Sequence, residues 1–95
     1  MSHEIRKLRE RITTVKYEIA QEEDKITFLQ EMLESRLKTK EQSLTNNWKW
    51  ENIYQMGLEQ TELEIKICEA KREKLINEIK FLRIEVEDKK QKLAQ

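Results

Sequence analysis

Cys68 and His3 are the two residues whose side chains could act together as a nucleophile and its base. Such a pair can catalyse acyl transfer when the two side chains lie within hydrogen-bond distance. However, Cys68 falls among apolar residues at helical spacing, in a layer far from His3 along the chain. We interpret Cys68 as a small core residue, and the sequence predicts no enzyme.

The sequence contains no other motif typical of a metal, cofactor or catalytic site. One His and one Cys cannot complete a zinc site alone, and no carboxylate spacing matches a calcium loop. Gly57 is the single glycine, so a glycine-rich phosphate loop and a nucleophile elbow are both excluded. We therefore expect no metal, no cofactor and no small-molecule substrate. The many Glu and Asp side chains are interpreted as solvated helix faces.

The composition is typical of long helices with narrow apolar stripes. Charged residues are 40% of the 95 residues and hydrophobic residues are 37%, with no proline. The 19 basic residues balance 19 acidic residues, which argues against nucleic acid or an anionic membrane as a partner. A basic cluster near the N-terminus is diluted by acidic neighbours, so a nucleic-acid-binding helical module is only the distant alternative. Protein partners are expected.

The cysteine count and hydropathy bear on location. A single cysteine excludes an internal disulfide framework, and no apolar run is long enough to span a bilayer. The sequence predicts an intracellular protein, cytoplasmic or cytoskeleton-associated, and leaves a nuclear location open.

Apolar residues in the first half recur at alternating spacings of three and four, as in a coiled-coil seam. The pattern begins at Ile5 and continues to Leu33, with the charged Glu22 as its one exception. Continuing it would place Arg36 in the seam, whereas Leu37 and Leu44 fit only after an insertion of four residues. We therefore expect a register slip after Leu33, which either unwinds the coiled coil or marks the end of the helix.

The second half carries a matching seam, and an antiparallel register pairs the two. Facing residue numbers then add up to 94, which sets Ile26 against Cys68 and Leu29 against Ile65. The same register sets Glu22, the only charge in the middle of the first seam, against Arg72, the only charge in the middle of the second. The main predicted seam residues are Ile12, Ile19, Ile26, Leu29, Ile65, Leu75, Ile79 and Leu82.

Competing registers leave Glu22 and Arg72 in unfavourable places. In the register where facing residue numbers add up to 87, Glu22 and Arg72 each face an apolar residue. In a parallel homodimer, each faces the same residue of the other chain, so like charges meet. The Glu22 and Arg72 pair is therefore expected to fix the antiparallel register.

The bend implied by this register falls at Asn47, and Asn46 and Asn47 are both compatible with a turn or a helix cap. We predict one coiled-coil module over 1–95, with a helix over 2–43, a turn or hinge over 44–47 and a helix over 48–94. The fold class is all-α, an antiparallel helical hairpin assembling into a dimeric helical bundle. Long straight helices in a coiled-coil dimer are the alternative.

A second apolar stripe runs along the face of the C-terminal helix opposite the seam. We call it the second stripe; its residues are Ile53, Met56, Leu63, Ile67, Ala70, Phe81 and Ile84. A hairpin helix needs only one apolar face, so an exposed second one indicates an interface. It either joins two hairpins into a four-helix bundle or docks a helix from another protein.

Trp48 and Trp50 lie at the predicted tip of the hairpin. They either close the end of the core or form an aromatic contact for a partner. Taken together, the patterns predict a structural module that scaffolds or bridges proteins through coiled-coil association, as a homodimer or with a hetero-coiled-coil partner. A subunit or chaperone-like partner of a hetero-oligomeric helical complex is the alternative.

Overall fold

Two long helices make up the fold, which was obtained as a computed structural model. The structure describes residues 3–42 and 48–94, and the side chains of 3–38 and 53–94. Helix α1 spans His3–Gln42 and helix α2 spans Trp48–Ala94. No strand occurs in these described ranges, so the predicted all-α class is confirmed. The absence of proline and the heptad spacing of apolar residues both favour uninterrupted helices.

The helices lie side by side and run in opposite directions. Near one end, the Lys89 Nζ atom is 2.7 Å from Oε2 of Glu4. Near the other end, the Nη1 atom of Arg36 is 3.1 Å from the carbonyl oxygen of Gly57. The molecule measures 74 × 14 × 14 Å, the shape of a helical hairpin. The predicted turn at 44–47 lies outside the described residues.

The core is a single seam between the helices. Val15 is fully buried, and Ile26 packs with Ile65 and Cys68 against the half-buried Leu29. All eight main predicted seam residues are buried or half-buried: Ile26, Ile65 and Ile79 are buried, and Ile12, Ile19, Leu29, Leu75 and Leu82 are half-buried. A seam this narrow gives each helix one buried face and leaves the rest of its surface to solvent.

The expected register slip after Leu33 is wrong within the described residues. Leu37 is 44% exposed, while Arg36 is half-buried and occupies the seam position that follows from the unshifted register. The guanidinium is tolerated there because its Nη1 atom donates to the Gly57 carbonyl oxygen and to Thr61 Oγ1 of α2, and its aliphatic stem can cover apolar surface. Leu44, the other residue that suggested the slip, lies outside the described residues.

Candidate association surface

Cys68 and His3 are not brought together. Cys68 is buried in the seam, whereas His3 is the exposed first residue of α1. Cys68 packs beside Ile26, which is 23 residues and so about 35 Å along α1 from His3. Burial raises the pKa of the Cys68 thiol, and the nearby Glu22 carboxylate raises it further. Both effects favour the neutral thiol, so this cysteine is a poor nucleophile.

Glu22 and Arg72 do not form the predicted ion pair. The side chain of Glu22 is only 12% exposed, and its Oε1 atom lies 3.5 Å from Lys25 Nζ, one turn further along α1. Its Oε2 atom is buried without a hydrogen-bond partner, and Arg72 is half-buried on α2. Lys25 competes successfully because it lies on the same helix face as Glu22, three residues away.

A different polar layer crosses the seam, which sequence reasoning missed. Arg36 Nη1 donates to the carbonyl oxygen of Gly57 at 3.1 Å and to Thr61 Oγ1 at 2.8 Å. The Thr61 hydroxyl in turn donates to the same carbonyl oxygen at 2.9 Å. The available signal was an arginine at a seam position one layer away from a seam threonine, since Arg36 is level with Leu58 and Thr61 is level with Leu33. This layer ties α1 to α2 toward the turn end of the hairpin.

The second stripe is exposed along its whole length. Its large residues range from 47% exposed at Ile67 to 69% exposed at Phe81. Among the ten positions that face away from the seam between 53 and 84, seven are apolar and only Gln60, Lys74 and Asn77 are polar. Water therefore covers an apolar strip about 47 Å long, since α2 rises ~1.5 Å per residue. Exposed apolar surface of this extent is typical of an interface.

The equivalent face of α1 is polar. Its ten outward positions between 7 and 38 are also exposed, and they are Lys7, Glu10, Thr14, Tyr17, Gln21, Asp24, Phe28, Glu31, Ser35 and Lys38. Only Tyr17 and Phe28 among them are large and aromatic. The apolar excess thus belongs to α2 and not to the hairpin surface in general.

A shallow apolar groove adjoins the second stripe where the two helices meet. Phe28 and Leu29 line it from α1, and Ile67 and Cys68 line it from α2. Lys25 and Glu64 also border it. The groove extends the apolar surface of Ile67 toward the exposed ring of Phe28, so this part of the surface is wider than one helix.

The predicted tip is described only in part. Trp48 and Trp50 lie in the first turn of α2, but their side chains are outside the described set, as are Asn46 and Asn47 altogether. Both interpretations of the tryptophans therefore stay predictions.

No group of three or more His, Cys, Asp or Glu residues that could hold a metal ion occurs in the ranges 3–42 and 48–94. Within those ranges, neither helix is long and apolar enough to cross a membrane. The second stripe is the candidate association surface, because its exposed apolar side chains can be buried against another helix. Comparison with protein-family models, curated proteins and solved structures found no match to this chain.

Proposed function

We propose that this protein is a non-enzymatic association module that scaffolds or bridges proteins through coiled-coil contacts, with the second stripe as its contact surface. One observation carries the proposal: the outward face of α2 is apolar and exposed, while that of α1 is polar. The seam already supplies the burial that holds the hairpin. Folding of the hairpin therefore does not require the apolar side chains of the second stripe, which are left exposed for a partner.

The energetics of the second stripe support association. Ile67 and Phe81 each lose their contact with water when a second helix packs on them, and each contributes about 1.5 to 3 kcal/mol when fully buried. The free energy gained by burying several such side chains on each chain can offset the free-energy cost of bringing two chains together, which is of the order of 4 to 15 kcal/mol. A homodimer is the simplest such assembly because one stripe then covers another.

The experiment compares the mass of the wild-type chain with that of the double variant Ile67→Glu, Phe81→Glu by sedimentation equilibrium. We expect a mass of twice 11.6 kDa for the wild type and 11.6 kDa for the variant, with unchanged helix content by circular dichroism. The matched control is Tyr17→Glu, Phe28→Glu, which adds the same charge at similarly exposed positions of α1 and should stay dimeric. Equal masses for wild type and stripe variant would contradict the proposal.

The groove at Phe28 favours a second candidate function, that of a subunit or chaperone-like partner in a hetero-oligomeric helical complex. A helix that covered both Ile67 and Phe28 would use surface that a pairing through α2 alone leaves exposed. This candidate predicts a monomeric wild-type chain, the opposite of the doubled mass expected above. It also predicts that Phe28→Glu alone abolishes binding of the partner helix.

A further inference from the structure

We infer that the occupant of the second stripe is a second copy of this chain, with the two α2 helices antiparallel and facing residue numbers adding up to 137. This inference rests on the proposed function and specifies its geometry. At this register the apolar residues of one copy meet apolar residues of the other. The apolar layers are Ile53 with Ile84, Met56 with Phe81, and Ile67 with Ala70. Because the arrangement is two-fold symmetric, each layer occurs twice.

The polar positions of the second stripe also meet suitable partners at this register. Gln60 faces Asn77, so the two side-chain amides can hydrogen-bond to each other. Leu63 faces Lys74, whose aliphatic stem can lie over the leucine while its ammonium group reaches water. No layer places a charge against a charge of the same sign.

The charges that border the second stripe supply an independent argument. In an antiparallel pair, each edge of the stripe faces the same edge on the partner, and side chains on that edge meet when they lie within about two residues of the same level, ~3 Å along the axis. Glu59, Lys66, Glu73 and Lys80 lie along one edge of the second stripe, and Glu64 and Lys71 lie along the other. When facing residue numbers add up to 137, all charge pairs between matching edges of the two copies are attractive. They are Glu59 with Lys80, Lys66 with Glu73, and Glu64 with Lys71.

These six side chains are exposed, and none forms an ion pair with another residue in the part of the hairpin that the structure describes. Other charges of the molecule do form such pairs, as Arg11 does with Glu78 at 2.9 Å. Of the six, Glu59 accepts a hydrogen bond from Gln55 at 3.4 Å. None of the six has an ionic partner within the described hairpin, and their order along α2 matches that of a reversed copy of α2.

The two neighbouring registers fail on the same criteria. A shift of one heptad to a total of 130 sets Lys66 against Lys66 of the other copy, and Met56 against Lys74. A shift to 144 sets Glu73 against Glu73 and Met56 against Asp88. Like charges and buried polar mismatches both oppose association. Only the register at 137 satisfies the apolar layers and the charges together.

Charge reversal at Lys66 and Glu73 tests this register. Both residues are exposed and lie one heptad apart on α2, so reversing them leaves the seam intact. We expect Lys66→Glu and Glu73→Lys each to raise the dimer dissociation constant roughly tenfold, because two attractive pairs per dimer become repulsive. The double variant restores attraction and should return to the wild-type constant. An equimolar mixture of the two single variants should likewise form a tight heterodimer.

The matched control reverses Lys16 and Glu23, which are also exposed and one heptad apart but lie on α1. These variants should keep the wild-type dissociation constant in sedimentation equilibrium. Lys66→Glu leaves the constant unchanged at the 130 register and lowers it at the 144 register, so either result would overturn the inference. A monomeric wild-type chain, or a double variant that stays weak, would overturn it as well. If the Ile67, Phe81 variant abolishes the dimer but charge reversal is not rescued, the register alone fails and the proposed function stands.

Discussion

The outward faces of α1 and α2 differ sharply although both helices contribute to one seam. Two of ten outward positions on α1 are large and aromatic, whereas seven of ten on α2 are apolar. Both sets are exposed in the hairpin. Folding of the hairpin requires only the seam, so the polar face of α1 is what folding alone demands. This difference supports the proposal that the outward face of α2 is a contact surface, and substitutions on the two faces of α2 can separate folding from association.

The largest expected effect compares two isoleucines of α2 that lie two residues apart. Ile65 is 8% exposed in the seam, and Ile67 is 47% exposed in the second stripe. We expect Ile65→Ala to lower the free energy of unfolding of the monomeric hairpin by about 2 to 5 kcal/mol, since it leaves a cavity. Ile67→Ala should change it by less than ~0.5 kcal/mol but weaken assembly.

Urea unfolding at a concentration below the dimer dissociation constant measures the first quantity, and sedimentation the second. Similar losses of monomer stability for the two variants would mean that the two faces of α2 are not distinct.

The polar layer at Arg36 tests where the seam runs near the turn. Arg36→Ala removes the hydrogen bonds to Gly57 and Thr61, so we expect it to cost about 1 to 3 kcal/mol in urea unfolding. Its neighbour Leu37 is the matched control, because Leu37→Ala changes a residue that is 44% exposed and should cost less. If Leu37→Ala lowers the free energy of unfolding more than Arg36→Ala does, Leu37 lies in the seam and the predicted register slip after Leu33 is correct.

Glu22 offers a test with the opposite sign. Glu22→Leu replaces a buried carboxylate oxygen that lacks a partner by an apolar side chain within the seam. We expect the free energy of unfolding to rise by about 1 to 2 kcal/mol, measured from the urea midpoint. Glu23→Leu, at the exposed next position, is the control and should stay within ~0.5 kcal/mol of the wild type. Destabilisation by Glu22→Leu would indicate that the carboxylate has a stabilising partner.

The smallest effect concerns the exposed ion pair of Glu4 and Lys89. A hydrogen bond from Lys89 lowers the pKa of Glu4 below 4.5, and the same bond raises the pKa of Lys89 above 10.5. The stability from Glu4 is present above pH 4.5 and is lost as the pH falls through the lowered value. That from Lys89 is present below pH 10.5 and is lost as the pH rises through the raised value.

Glu4→Gln should therefore reduce stability slightly across the neutral range, and the difference from wild type should vanish in strong acid. Thermal unfolding at a series of pH values, at low and high salt, measures it. A difference that persists in strong acid would exclude the ion pair as its cause.

Heptad spacing was sufficient to predict two long antiparallel helices and a seam through Ile26 and Ile65. The second stripe could also be found in this way, since exposure opposite the seam follows from helical geometry. The polar layer at Arg36 was missed although the unshifted heptad pattern places Arg36 in the seam, because its acceptor is the carbonyl oxygen of Gly57, which a pattern of side chains does not contain. The pairing of Glu22 with Lys25 could not be predicted either. The antiparallel register predicts which residues face each other, but it does not predict which of several nearby cationic side chains a carboxylate contacts.

The most direct test of the central claim is small-angle X-ray scattering on the wild-type chain over a range of concentrations. Two hairpins paired through their second stripes should give twice the mass of 11.6 kDa and a longest dimension of about 80 Å, only slightly beyond the 74 Å of one hairpin. A mass of 11.6 kDa at every concentration would contradict association of the chain with itself. A longest dimension near ~140 Å would contradict the hairpin, since it requires straight helices that continue through the turn.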